Sequence, residues 1–150
     1  MELIAKMCAG PQKLLLKNDR LLQAVAGKML KRVNCDIHHT NNICARLRKL
    51  CRVILHIRQS NSALTNVNLQ GILTPKHFHT VVSAVKAVAG HDDDDNCLAN
   101  PSVAVDLGRD LKKCAVKLKG QALHEGEREA VKDATNFLEL CADGLLVYPT

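Results

Sequence analysis

Aromatic residues are almost absent from this chain of 150 residues, which has one Tyr, two Phe and no Trp. Its core must therefore be built from Leu, Val, Ile and Ala. Proteins that bind single-stranded nucleic acid stack the bases on aromatic rings, so the composition argues against that class. The most apolar run, at residues 53–57, contains His56 and is flanked by Arg52 and Arg58. It is too short to span a membrane.

Catalytic motifs are also missing. The sequence has no C-x-x-C, G-x-S-x-G or H-E-x-x-H pattern and no glycine-rich phosphate loop. Cys51 and His56 lie five positions apart, a spacing that does not bring two side chains together on a helix. We therefore expect no catalytic residues and no enzyme activity. The seven cysteines lack a disulfide spacing and residues 1–10 lack a signal peptide, which predicts reduced thiols in a nuclear or cytoplasmic protein.

A run of four acidic residues, Asp92 to Asp95, follows His91 and raises the question of a metal site. Calcium loops need carboxylates at alternate positions with a distal Glu, whereas adjacent side chains point in different directions. Two histidine pairs occur, His38 with His39 and His77 with His79. Residues one or two positions apart lie on different faces of a helix, so neither pair is suited to hold one ion. We expect no metal and no cofactor.

The net charge of +6 is distributed unevenly. Residues 1–58 hold twelve of the 21 basic residues and three of the 15 acidic ones, which gives +9 there and −3 in residues 59–150. A basic half of this kind suits a polyanionic partner such as nucleic acid. The alternative is that the charged side chains lie on solvent-exposed helix faces and bind no partner.

Apolar residues recur at helical spacing in five segments and at strand spacing in none. The predicted helices cover about residues 19–33, 41–59, 75–89, 101–123 and 127–142. Between them we expect a loop at 34–42, a polar stretch at 60–73 with one short turn near Leu69, and an acidic loop at 91–99. The pattern predicts an all-α fold, a single compact domain of about five helices over residues 18–144. A poorly patterned segment, 1–17, precedes the domain, and a tail, 145–150, follows it.

The strongest functional candidate is a basic stripe on the second predicted helix, at Arg46, Arg48, Lys49 and Arg52. We expect these side chains to project away from the apolar face that contains Leu47, exposed and free to meet phosphates. Each such contact adds salt-dependent affinity for nucleic acid. A second and weaker basic cluster, diluted by Asp106 and Asp110, lies on the fourth predicted helix at Lys112, Lys113 and Lys117.

From about Asn18 to Cys141, the order and spacing of several short motifs resemble one family. The motifs are Ala45-Arg46-Leu47-Arg48; Pro75, Phe78, Val81, Val82, Ala84, Val85, Lys86 and Gly90; Pro101-Ser102, Ala104, Gly108, Leu111 to Ala115 and Gln121 to Leu123; and Phe137-Leu138. Together they resemble the N-terminal helical region of tyrosine-recombinase-like proteins derived from mobile elements in animal genomes. No single motif is diagnostic, but the set is fairly specific.

The resemblance implies a helical arm domain that clamps DNA, with the Arg/Lys/His/Tyr catalytic site in a separate C-terminal domain. By analogy, the clamp role would pass to Arg46, Arg48, Lys49 and Arg52. The chain ends at Thr150, where the family continues, and a Trp-containing segment expected after the last helix is replaced by residues 142–150. We therefore expect a truncated product or a fragment, and Tyr148 is not assigned as a nucleophile.

Two functions follow as hypotheses. The first is a non-catalytic module that binds double-stranded DNA. The second is a helical protein–protein interaction domain, whose partner would be another protein or the missing C-terminal domain. One continuous positive face across several helices would favour DNA, whereas basic residues scattered around an apolar groove would favour a protein partner. Neither hypothesis involves a membrane.

Overall fold

The computed structural model describes residues 10–31, 37–92, 97–98 and 101–142. Seven α-helices lie within these ranges: α1 Pro11–Asn18, α2 Arg20–Lys31, α3 Ile37–Ser60, α4 Leu69–Ile72, α5 Phe78–Val88, α6 Pro101–Glu125 and α7 Arg128–Ala142. Two 3-10 turns, Ser62–Leu64 and Pro75–His77, lie before α4 and α5. The prediction of an all-α fold is confirmed, and the predicted number of five helices is too low.

Helix α1 accounts for part of the difference in helix number, because its residues lie mostly in the poorly patterned segment 1–17, where no helix is predicted. Pro11 occupies the first turn, where a missing N–H costs nothing. Leu15 and Leu16 are buried. At the other end of α1, the Gln23 side-chain amide donates to the carbonyls of Leu16 (3.0 Å) and Lys17 (2.6 Å). A helix of eight residues is marginal alone, so α1 depends on these tertiary contacts.

Helix α3 begins at Ile37, so the prediction of a loop at 34–42 is wrong for residues 37–42. The polar residues at this end have only modestly lower helix propensity than alanine. Extension of a helix that is already anchored adds one backbone hydrogen bond per residue, which is enough to offset that difference. Residues 32–36 lie outside the described part of the chain.

The segment between α5 and α6 contains one element that the sequence did not predict. Residues His91–Asp92 (β1) and Cys97–Leu98 (β2) form a two-residue antiparallel pair, with His91 opposite Leu98. Gly90, with φ of 76°, ends the turn after α5. Asn100, which precedes α6, and Gly144, which follows α7, lie outside the described residues.

The core is organised around α3, which packs against α1, α2, α5 and α6. Its buried face includes Leu47, Leu50 and Ile54. Helix α6 packs along α7, after a turn at Gly126 (φ 73°) in which the N–H of Glu127 donates to the carbonyl of Ala122 at 2.9 Å. The arrangement brings α2, α3 and α6 side by side at one surface.

Asp19 ties two distant segments to this core. Its carboxylate is buried and accepts hydrogen bonds from the N–H of Leu22 (3.0 Å) and from the N–H of Leu69 (2.8 Å). The first bond caps α2, and the second satisfies the first N–H of α4. One side chain therefore fixes the beginnings of two helices.

Candidate nucleic-acid interface

The structure separates the four residues of the predicted basic stripe. Each residue turns an α-helix by about 100°, so Arg46 and Arg48 point to nearly opposite sides of α3. Arg52 is exposed, whereas Arg48 and Lys49 are half-buried. The Nε atom of Arg48 is buried and has no hydrogen-bond partner. The prediction that all four project freely from one face is therefore wrong.

Arg46 is held against α6. Its Nε donates to Asp110 Oδ2 at 3.1 Å and its Nη2 donates to Asp110 Oδ1 at 2.5 Å. The Asp110 side chain is only 4% exposed and that of Arg46 is 25% exposed. Hydrogen bonding to this carboxylate raises the pKa of the Arg46 guanidinium above its ordinary value. Arg46 is therefore first a structural residue that neutralises a buried charge.

A groove of about 460 Å³ lies between α2, α3 and α6, and Arg46 forms part of its lining. We call it the basic groove. Its apolar lining comes from Val25, Met29, Ile43 and Val116. Its basic lining comes from Lys28, Arg46, Arg109, Lys112, Lys113 and Lys117. Asn42 completes the lining, and no carboxylate is among these described residues.

The basic groove joins the two predicted clusters in part. It brings Arg46 of the stripe together with Lys112, Lys113 and Lys117, which form a separate cluster in the sequence. Lys28 and Arg109 were missed as site residues. Arg109 lies one helical turn before Lys112 and Lys113 on α6, whereas Lys28 is on another helix and only the packing of α2 beside α6 places it at the same groove. The charge excess of residues 1–58 was the one signal that included Lys28.

Two nearby carboxylates reduce the positive charge of the groove. Asp110 pairs with Arg46, and Asp106 lies 4.0 Å from Arg109 in an exposed pair one helical turn apart. Exposed pairs of this kind contribute little energy. The four lysines of the groove form no ion pair with any residue that the structure describes. They therefore remain available to an anionic ligand.

The remaining members of the stripe lie at a different surface. Arg52 lines a shallow depression with His56 and Gln59 of α3 and with Ala87 and Val88 of α5. Helix α3 is packed by its neighbours on most of its circumference, so its solvent side is narrow. The structure does not bring Arg48, Lys49 or Arg52 to the basic groove.

Four cysteines of the described residues are buried free thiols: Cys44, Cys51, Cys114 and Cys141. Burial raises the pKa of Cys51 to about 12 and that of Cys141 to about 11, and it raises the pKa of Cys114 further. Such thiols are neutral and unreactive at neutral pH. Cys8 and Cys35 lie outside the described residues, as does the side chain of Cys97.

Within the part of the chain that the structure describes, no three His, Cys, Asp or Glu residues converge as metal ligands would. The side chains of His38, His39 and residues 91–95 are not among those described. None of the helices searched has the length and apolar character that crossing a bilayer requires. Comparison of the chain with models of protein families, with curated proteins and with solved structures yields no match.

Proposed function

We propose that this chain is a non-catalytic, helical module that binds the phosphate backbone of double-stranded DNA. The observation that carries the proposal is the basic groove, where cationic side chains of α2, α3 and α6 face one surface with no carboxylate among the described lining residues. Cations supplied by three helices form a surface rather than one solvated helix face. Cations from several helices at one surface favour DNA, whereas the apolar lining of the same groove favours a protein partner.

In this proposal, phosphate contacts by the groove lysines supply the affinity for DNA, make it depend on salt, and give no preference for base sequence. Lysine ammonium groups on flexible stems act as point charges for phosphate, without base recognition. Each neutralised phosphate releases condensed counterions, so the logarithm of the binding constant falls with the logarithm of salt concentration by about 0.9 per contact. Four lysine contacts predict a slope of roughly −4. The affinity should be similar for all duplex sequences.

The exposed side of α3 supplies a second region for the same ligand in this proposal. Arg52 is exposed and Arg48 and Lys49 are half-buried, and they lie at a surface separate from the basic groove. A relation to the DNA-clamping arm domain of tyrosine-recombinase-like proteins belongs to the same proposal. It draws support from the shared motifs and from the all-α architecture.

The test is a salt titration of binding to a labelled DNA duplex, followed by fluorescence anisotropy. The test variant is Lys28→Gln with Lys113→Gln, both exposed at the basic groove. The matched control is Lys76→Gln with Lys132→Gln, which removes the same charge from exposed positions elsewhere. We expect the salt slope to become shallower by about two contacts in the test variant only.

Two results would overturn the proposal. One is the absence of salt-dependent duplex binding by the unmodified chain at low ionic strength. The other is an equal loss in the test and control variants, because binding would then follow net charge and not the groove.

A further inference from the structure

The basic groove has an apolar part that phosphate contacts do not use. Val25, Met29 and Ile43 are buried at its base, and Val116 stands at its edge with 51% of its surface exposed. The phosphates of a DNA backbone would contact the cations of the groove and leave this apolar floor unused. A ligand that fits the whole groove must therefore carry both apolar groups and negative charge.

The exposed face of α6 continues the apolar part of the groove. Val105, Val116 and Leu123 are the exposed large apolar residues of this helix. Their spacings of eleven and seven residues place all three within about 20° of one line along the helix. That line is about 27 Å long, and Arg109, Lys112 and Lys113 lie beside it. The surface thus alternates apolar and basic groups over five turns.

We propose that the basic groove and this face of α6 form the docking site for an acidic amphipathic helix of a partner protein. Its apolar residues, at positions i, i+3 or i+4 and i+7, would pack on Val116 and the groove floor. Its Asp and Glu residues would pair with the lysines that have no ion pair among the described residues. The proposal is independent of DNA binding, although both ligands use the same lysines.

Charge selects this occupant over a second copy of the chain. Two copies joined through this face would bring the same lysines together, and like charges at an interface cost several kcal/mol. The volume of about 460 Å³ is within the range of ordinary ligand sites and is large enough for the anchoring side chains of one helix. Buried apolar anchors supply most of the affinity in interfaces of this type.

The probe is a synthetic peptide designed as an amphipathic helix, with Leu along one face and Glu on the others. Two control peptides replace every Glu by Lys or every Leu by Ser. We expect measurable binding, by anisotropy or calorimetry, of the Leu/Glu peptide alone. The 150-residue chain is used throughout, and circular dichroism checks that each variant stays helical.

The test variant is Val116→Ser, which removes an exposed apolar group and should leave folding intact. It should weaken binding of the Leu/Glu peptide about tenfold, the effect of losing one buried valine contact. The matched control is Leu14→Ser, since Leu14 is an exposed apolar residue (61%) of α1 that does not line the groove. Binding by this control should be unchanged.

Three outcomes would overturn the proposal. The first is that the peptide with Ser in place of Leu binds as tightly as the Leu/Glu peptide. The second is that Val116→Ser has no effect on peptide binding. The third is that Val116→Ser weakens duplex DNA binding as much as peptide binding. If the unmodified chain binds duplex DNA with the expected salt slope and does not bind the peptide, docking fails and the DNA proposal stands. If it binds the peptide and not DNA, the reverse holds.

Discussion

Arg46 and Asp110, 64 positions apart in the chain, join α3 to α6 through two parallel hydrogen bonds from one guanidinium to one carboxylate. The planar guanidinium matches the two carboxylate oxygens, a geometry that lysine cannot supply. The pair neutralises a buried aspartate and at the same time forms part of the wall of the basic groove. Arg46 therefore both stabilises the fold and lines the proposed binding site.

Breaking this pair should be strongly destabilising, in an asymmetric way. Arg46→Leu leaves Asp110 buried without a counter-charge, and we expect the free energy of unfolding to fall by about 3 kcal/mol. Asp110→Leu should cost less, because Arg46 is partly exposed and its charge is hydrated at the groove. The double Leu variant should recover most of the loss. Denaturant unfolding of the four proteins measures this cycle, and additive losses would contradict it.

Replacement of Asp19 should loosen two helix beginnings together. Asp19→Ala removes the acceptor for the N–H groups of Leu22 and Leu69, and we expect a loss of about 3 kcal/mol. Hydrogen exchange of both amides should accelerate in this variant. The control is Asn68→Ala, since Asn68 is an exposed cap that accepts only from Gly71, and its loss should cost about 1 kcal/mol. Unchanged protection at Leu69 would contradict the double role.

Buried thiols should make the fold sensitive to alkaline pH. The folded-state pKa values of Cys51 (about 12) and Cys141 (about 11) are raised from an ordinary value of 9.0. Their stabilisation is complete below pH 9 and is lost as pH rises towards these values, because the unfolded chain ionises first. Each thiol should lower the free energy of unfolding by about 1.4 kcal/mol per pH unit in this window. Cys51→Ala and Cys141→Ala should each make the free energy of unfolding fall less steeply with pH above 9. Slopes equal to that of the unmodified chain would contradict this prediction.

The exposed side of α3 provides a separate test of DNA binding. Changing Arg48 and Arg52 together to Ala should lower the free energy of unfolding by less than about 1 kcal/mol, since Arg52 is exposed and the buried Nε of Arg48 has no partner to lose. The salt slope for duplex DNA should become shallower by about two contacts, with base preference unchanged. Loss of the helical circular dichroism signal would show instead that these residues stabilise α3.

The helical character of the chain could be predicted because it depends on local spacing. Phe78, Val81 and Val85 on α5, or Leu107, Leu111 and Cys114 on α6, follow a period near 3.6 in the sequence itself and are buried together in the structure. Helix α1 and the first turn of α3 could not be predicted in this way. Their local patterns are weak, and packing and helix extension stabilise them.

Only part of the candidate site could be predicted from the sequence, for the same reason. Periodicity indicates which residues form the apolar seam of one helix, and Lys112, Lys113 and Lys117 are neighbouring basic residues outside that seam. It carries no information about which faces of different helices meet. The role of Asp110 as a buried partner and the presence of Lys28 at the groove both depend on contacts between residues far apart in sequence.

By itself the sequence determined an all-α, basic chain with an aliphatic core, because composition and periodicity are local properties. Only the tertiary structure decided which charges are available to a ligand. A guanidinium in a basic stripe is a ligand for phosphate or a structural counter-ion depending on whether a buried carboxylate faces it. Asp110 faces Arg46, and the lysines of the basic groove face no carboxylate among the described residues.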